Sequence, residues 1–372
     1  MTGSFDYHMP TRVIFGVGSV ERLGKVLDEV GADKVIIVTG RGSIKKAGLL
    51  DRVAGLLDGF EVRVFDRVEA DPSVETVDDG AEDADGVDVV IGLGGGSALD
   101  AAKAISAVLG NGGQAAEYIR GRKAEKPGPP IVAIPTTAGT ASEVTEVSVL
   151  SDRSLKIKKS FRSKHMYPAV ALDDPELTKT MPKPVTASTG LDALAHAVEA
   201  LTSKNSQPIP DVLCMEAAKL VLENLEKAYE DGDDIQARKN MMLGSLMAGF
   251  GITHAGAGLS HGLSYGLWRV ADTPHGLACG FLLPHVMRFN LGHEGGKYAA
   301  LARHCGYKSP EDLIGRVEAL NEALEVPARL HGFGITERDV EAMVEIGMSG
   351  STRVNPRPVD EKTMREFIRS IL

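Results

Sequence analysis

A two-part fold is predicted, an α/β half over residues 1–180 and an all-helical half over 181–372, and three observations predict it. Short β-branched runs alternate with helical patterns up to Asp173-Asp174-Pro175. From Thr186 onward only long helical stretches follow, and 372 residues are too many for one ordinary core. Alternation of strand and helix means a parallel sheet covered on both faces.

Lys34 to Thr39 reads as the first strand, then the turn Gly40-Arg41-Gly42-Ser43 and a helix over Ile44–Leu57. Phe60–Phe65 is the next strand, and Asp71 with Pro72 behind it predicts a capped helix running to about Ala84. Val87–Leu93 is a third strand, running through Gly94-Gly95-Gly96-Ser97 into a helix, with Ser97 a possible cap. A fourth, Ile131–Ile134, precedes the polar loop Pro135–Glu143. Predicted helices then cover Thr189–Thr202, Val212–Tyr229, Gln236–Phe250, Ser260–Val270, Gly296–Cys305 and Pro310–Leu324, with Asp231–Asp234 as an exposed turn.

Composition excludes several classes. With 41 Lys and Arg against 51 Asp and Glu, the net charge of -10 offers no field for phosphate backbones, so nucleic acid is not an expected partner. Three scattered cysteines, Cys214, Cys279 and Cys305, fit a reducing compartment and contain no C-x-x-C pair, which argues against a cysteine-built metal site. The start, MTGSFDYHMPTRVIFG, lacks a secretory pattern, so the cytoplasm is expected. Met241–Trp268 has no acidic residue, Lys or Arg, but its histidines, hydroxyls and glycines favour a buried helix pair over a membrane span.

Glycines between a strand and a helix gather backbone N–H groups and the positive helix end around an anion, usually a pyrophosphate. This makes Gly94, Gly95, Gly96 and Ser97, with Asp100 a turn further on, cofactor candidates. Thr136, Thr137, Thr140 and Ser142 lie in a loop at the carboxyl end of a strand, where a second contact is expected. Turn chemistry alone also explains both loops. In the first turn, Gly40 and Ser43 stand with Arg41, Lys45 and Lys46 and no carboxylate, which favours NADP(H) over NAD(H).

In the helical half, Asp192 and His196 are four apart and share a helix face, while His261 and His275 lie in small-residue segments where helices approach closely. One carboxylate and three imidazoles suit a single divalent ion such as Fe(II) or Zn(II). A lone histidine is more often a core residue; His254 and His285 are read that way.

The segments GLGGGSALDAAKAIS, IPTTAGTASEVT, GLDALAHAVEA, GLSHGLSYGL and PHGLACGFLLPHVMRFN together resemble the iron-containing, metal-dependent family III alcohol dehydrogenases, over nearly the whole chain. The resemblance implies a dehydroquinate-synthase-like fold: an N-terminal dinucleotide-binding domain, a C-terminal helical metal domain, and an active site in the cleft between them. It makes Asp192, His196, His261 and His275 metal ligands, places Gly94–Ser97 and Thr136-Thr137 on the cofactor, and puts Lys156 near the ribose or nicotinamide. It further implies reversible hydride transfer on a primary alcohol or aldehyde, and an assembly of at least two chains. The GRGSIKK turn is similar to the NADP-type butanol-dehydrogenase and aldehyde-reductase branch. Tyr265 stands where many members carry a histidine, so a phenol of higher reference pKa replaces an imidazole in any proton relay. Rival readings are a metal-independent reductase resembling maleylacetate reductase, a lyase resembling dehydroquinate synthase, and a non-catalytic nucleotide- or metal-binding protein.

Overall fold

The computed structural model describes residues 4–155 and 157–372. It divides into an α/β unit, Met9–Thr137 with Ala141–Met181, and a helical unit, Pro182–Leu372 with Ala138–Thr140 and the segment ending at His8.

The α/β unit contains β1 (Arg12–Phe15), β2 (Lys34–Gly40), β3 (Glu61–Val68), β4 (Val89–Gly94), β5 (Ile131–Pro135), β6 (Val147–Asp152), β7 (Ile157–Arg162) and β8 (Val170–Asp173). Six of these form a parallel sheet in the order β1-β8-β5-β4-β2-β3, and β6 and β7 pair as an antiparallel ribbon. Its helices of eight or more residues are α1 (Leu23–Val30), α2 (Val74–Asp83) and α3 (Gly96–Asn111). Side chains alternate along β2: Ile36 and Val38 join one apolar core with residues of α2 and α3, while Val35 and Ile37 join another with Leu23, Val26 and Leu27 of α1. Both faces are therefore buried, as the parallel sheet requires.

Local differences from the sequence reading are informative. The helix expected over Ile44–Leu57 is two short ones, Ser43–Lys46 and Leu49–Ala54, because Gly48 takes the left-handed conformation between them, φ 71. Ser73 caps α2 in place of Asp71, accepting from the Thr76 N–H at 3.2 Å. Asp71 instead pairs with Lys158 at 2.5 Å.

The helical unit contains α4 (Lys183–Thr202), α5 (Pro208–Glu230), α6 (Ile235–Ala255), α7 (Leu259–Ala271), α8 (His275–Asn290), α9 (Lys297–His304), α10 (Pro310–Ala323), α11 (Val340–Gly347) and α12 (Glu361–Ser370). Asp234 in the predicted turn caps α6 by accepting from the Gln236 and Ala237 N–H groups, each at 3.0 Å. The helix α8, which contains Gly276, Gly280 and Pro284, was not among the helices given bounds from sequence. Among the described residues no helix is long and apolar enough to cross a membrane.

Candidate metal and nucleotide sites

Helix α4 is buried from Gly190 to Thr202, so any polar group on it must find a partner inside the bundle. Asp192, His196 and Glu199 recur at i, i+4 and i+7 and form one polar stripe. Close packing brings α8 to this stripe: a Cβ on Gly276 would stand 2.1 Å from the Ser188 carbonyl oxygen, and one on Gly280 would stand 2.6 Å from Leu191 Cβ. Glycine here serves helix approach, and it sets His275, the first residue of α8, beside Asp192.

Three imidazoles converge on one carboxylate oxygen. Asp192 Oδ1 lies 3.4 Å from His261 Nε2, 3.8 Å from His275 Nε2 and 3.9 Å from His196 Nε2. Donors about 2.1 Å from a tetrahedral ion stand about 3.4 Å apart, so the spacing is that of a slightly open coordination shell.

The far side of each ring decides what the near side can be. His261 Nδ1 faces Glu199 Oε2 at 2.6 Å, and His196 Nδ1 faces the Gly139 carbonyl at 3.2 Å; both partners only accept, so each Nδ1 donates. The Ser264 hydroxyl donates to the His261 carbonyl at 2.8 Å and so accepts from His275 Nδ1 at 3.1 Å. All three rings therefore carry a proton on Nδ1 and direct Nε2 at a carboxylate. Asp192 Oδ1 and His261 Nε2 are both buried with no hydrogen-bond partner. Lone pairs facing a carboxylate oxygen in a buried site call for a cation, and the donor types fit a borderline divalent ion.

Electrostatics agree. Burial opposes ionisation of Asp192, but the neighbouring His196, His261 and His275 outweigh it and hold the carboxyl far below its usual range. Burial, helped by the charge of His261, pushes His196 down against the opposing pull of Asp192, the Gly139 carbonyl and Glu199. For His261 burial is outweighed by Cys279, Asp192 and Glu199, and the ring is held well above its ordinary value.

Glu199 did not figure in the sequence reading, although its i+7 position behind Asp192 was a usable signal. Besides His261 it accepts from the N–H groups of Gly258 at 2.8 Å and Ser260 at 2.5 Å, so it satisfies the open amino end of α7, the helix that carries His261. These bonds outweigh burial and keep Glu199 ionised. Gly258 leaves room for it, since a Cβ there would meet Glu199 Oε1 at 3.0 Å. A carboxylate behind a ligating imidazole fixes ring orientation and strengthens the ligand.

Tyr265, half-buried one turn past His261, has its ring centroid 5.7 Å from that of His275. His254 stands outside the cluster as a packing residue: Tyr7 stacks on it at 4.3 Å and the His8 N–H donates to its Nε2 at 3.1 Å. His285 lines a separate cleft of about 1190 Å³ with Phe281, Arg288, Phe289, Glu318 and Arg329, and none of the candidate ligands borders it. Cys279 sits one turn after His275 on α8, its Sγ 3.7 Å from His275 Nε2, so a thiol does border the cluster without any C-x-x-C pair.

In the α/β unit, the turns after β2, β4 and β5 open at the carboxyl ends of adjacent strands. Gly94 ends β4 at φ 147, and a Cβ there would stand 2.9 Å from Ala98 Cβ. Thr136 N–H donates to the Gly94 carbonyl at 2.9 Å, and Thr137 packs against Gly95, so the two candidate loops meet. The N-cap of α3 is Gly95, with no side-chain cap; the Ser97 hydroxyl accepts from the Asp71 N–H at 3.3 Å. Asp100 accepts from the Ser142 hydroxyl at 2.5 Å and the Val149 N–H at 2.9 Å, and stands 3.2 Å from the fully buried Lys103. Asp100 and Ser142 thus hold the loop to α3. Thr140 groups with the helical unit. Gly40 closes β2 and Ser43 opens the short helix beyond; Arg41 lies against the Arg67 carbonyl at 2.8 Å and Glu69 at 3.6 Å. Lys156 lies outside the described residues.

The sequence matches "Iron-containing alcohol dehydrogenase" over residues 10–175 and "Fe-containing alcohol dehydrogenase family, C-terminal" over residues 186–372. It is 36% identical to 1,3-propanediol dehydrogenase of Citrobacter freundii, over 98% of both chains. It is 34% identical to NADPH-dependent butanol dehydrogenase of Clostridium saccharobutylicum, over 98% of this chain and 97% of that one. A solved structure of sulfoacetaldehyde reductase from Bifidobacterium kashiwanohense in complex with NAD+ superposes with TM-score 0.94 at 32% identity, over 100% of this chain and 99% of that chain. The chain belongs to the iron-containing alcohol dehydrogenase family and is an oxidoreductase of that type.

Proposed function

We propose that this chain interconverts a primary alcohol and its aldehyde, using a nicotinamide cofactor and one divalent ion, Fe(II) or Zn(II), held by Asp192, His196, His261 and His275. The observation that carries this reading is the convergence of three Nε2 lone pairs on the orphaned Asp192 Oδ1. Held by those four residues, the ion would supply Lewis-acid chemistry and the nicotinamide would supply hydride transfer. The chain's own residues prepare the site. Glu199, Ser264 and the Gly139 carbonyl hold the rings in the ligating tautomer. Tyr265 is assigned the proton relay, from its place beside His275.

The cofactor goes to the α/β domain, 1–180, on Gly40, Ser43, Gly94–Ser97, Asp100, Thr136, Thr137, Thr140, Ser142 and Lys156, and the metal to the helical domain, 181–372. NADP(H) is favoured over NAD(H) by exposed Lys45 and Lys46 and a first turn without a carboxylate. The rival preference for NAD(H) has its own support, since the Arg41 guanidinium is drawn to Glu69. A cytoplasmic homodimer completes the reading; exposed Ile209 and Val212 at the start of α5 offer apolar surface to a second copy.

Chelator-stripped protein reloaded separately with Fe(II) and with Zn(II), then assayed for NADPH and NADH oxidation with short aldehydes, tests the whole. Aldehyde-dependent oxidation should return only with metal and run faster with NADPH. Full turnover in stripped protein would instead favour the metal-independent reductase.

A further inference from the structure

Carboxylate and imidazoles are not the only donors that close on one another. Asp192, His261, His275 and Cys279 each place one donor atom within 4.8 Å of the other three. Sulfur about 2.3 Å and nitrogen about 2.1 Å from a tetrahedral ion stand about 3.6 Å apart, and Cys279 Sγ is 3.7 Å from His275 Nε2. His275 and Cys279 are four apart on α8, so imidazole and thiol leave the helix on one face. Independently, Asp192 Oδ1 and His261 Nε2 are buried without partners in the same cluster. The other two cysteines lie elsewhere: Cys214 packs where a Cβ on Gly251 would be, and Cys305 follows α9.

We propose that the Cys279 thiol is itself a metal ligand, joining Asp192, His261 and His275 and competing with His196 for the remaining position. The proposal rests on the metal reading above. On coordination the S–H bond breaks, its proton leaves to solvent and a metal–sulfur bond forms, since a coordinating thiol is deprotonated outright. One carboxylate and one thiolate then neutralise the divalent ion. Thiolate is a soft donor, so this set selects zinc, whereas carboxylate and imidazole alone accept zinc or ferrous iron.

The test uses the full chain stripped with chelator and loaded with Co(II), read by absorption. A thiolate-to-cobalt charge-transfer band in the near ultraviolet, alongside visible d–d bands, is the expected spectrum. Cys279→Ser should lose the near-ultraviolet band and keep the d–d bands, while Cys214→Ser and Cys305→Ser keep both. The ratio of zinc to ferrous-iron affinity should fall in Cys279→Ser by at least the roughly 10-fold that loss of an outer partner costs. Wild-type d–d bands without charge transfer would overturn the sulfur ligand and leave the metal site standing. Absence of any cobalt spectrum would overturn both, and a band that survives Cys279→Ser would give the sulfur to another cysteine. Should Cys279→Ser fail to fold, zinc-edge X-ray absorption of the wild type decides: a sulfur shell at about 2.3 Å supports the proposal and its absence overturns it.

Discussion

The two candidate sites are built by opposite means. In the helical unit, side chains do the work: α4, α7 and α8 bring one carboxylate and three imidazoles together, with Glu199 and Ser264 setting the tautomers, and two donor atoms remain unsatisfied. In the α/β unit, the site is backbone. Gly94 and Gly95 end a strand and open a helix, while the polar side chains nearby, Asp100, Ser142 and Lys103, bond to each other. An ion needs donors at fixed distances, and here side chains locked by packing and by their outer partners supply them. A pyrophosphate needs close approach to N–H groups, which any side chain would obstruct.

The contrast can be broken in a definite order. His261→Ala should do most: metal affinity should fall by more than about 100-fold, beyond the loss of an outer partner, with turnover following. Nucleotide titration by cofactor fluorescence should be unchanged, and normal turnover in metal-free variant protein would refute the site. Glu199→Gln should lower metal affinity by about 10–100-fold, as loss of an outer-shell carboxylate does, measured by competition with a chromogenic chelator. Gly276→Ala forces a Cβ against the Ser188 carbonyl, so α8 must move from α4. A loss of about 1–3 kcal/mol in denaturant unfolding is expected, with weaker metal binding.

The smallest effect concerns pH in the α/β unit. Burial pushes Glu143 up to about 7, with its own backbone hydrogen bond and Lys103 acting the other way. Its folded pKa lies above the unfolded value, so the folded state holds the proton more tightly. Stability is then greatest below the unfolded value near 4.3 and falls as pH rises toward and through about 7. The unfolding midpoint should be lower at pH 8 than at pH 5, and Glu143→Gln should flatten that slope. An unchanged slope in the variant would remove Glu143 from the account.

Much of the α/β unit was legible because strands such as Lys34–Gly40 are continuous apolar runs bounded by glycine. The short strands β1 and β8 and the ribbon β6–β7 were not. They are four to six residues long; β1 takes a partner distant in the chain, Arg12 with Val170, and the β6–β7 hairpin, Val147 with Arg162, is built from short strands rich in polar residues. In the helical unit α4 was legible and the bounds of α8 were not. The role of Gly276 and Gly280 is visible only against Ser188 and Leu191. Glu199 shares a stripe with Asp192, yet its partners Gly258, Ser260 and His261 lie about sixty residues on.

Residue type and spacing were enough for the division into two units, the glycine turn after a strand and the paired Asp192 and His196, because each depends on local backbone geometry. Three-dimensional packing was needed for the rest: which histidines meet, that His254 holds the N-terminal segment instead, that Glu199 stands behind His261, and that Cys279 joins the donors. Those relations run between helices, where contact depends on how closely two backbones approach. At α4 and α8 that approach is set by two glycines whose missing Cβ atoms have no local signature.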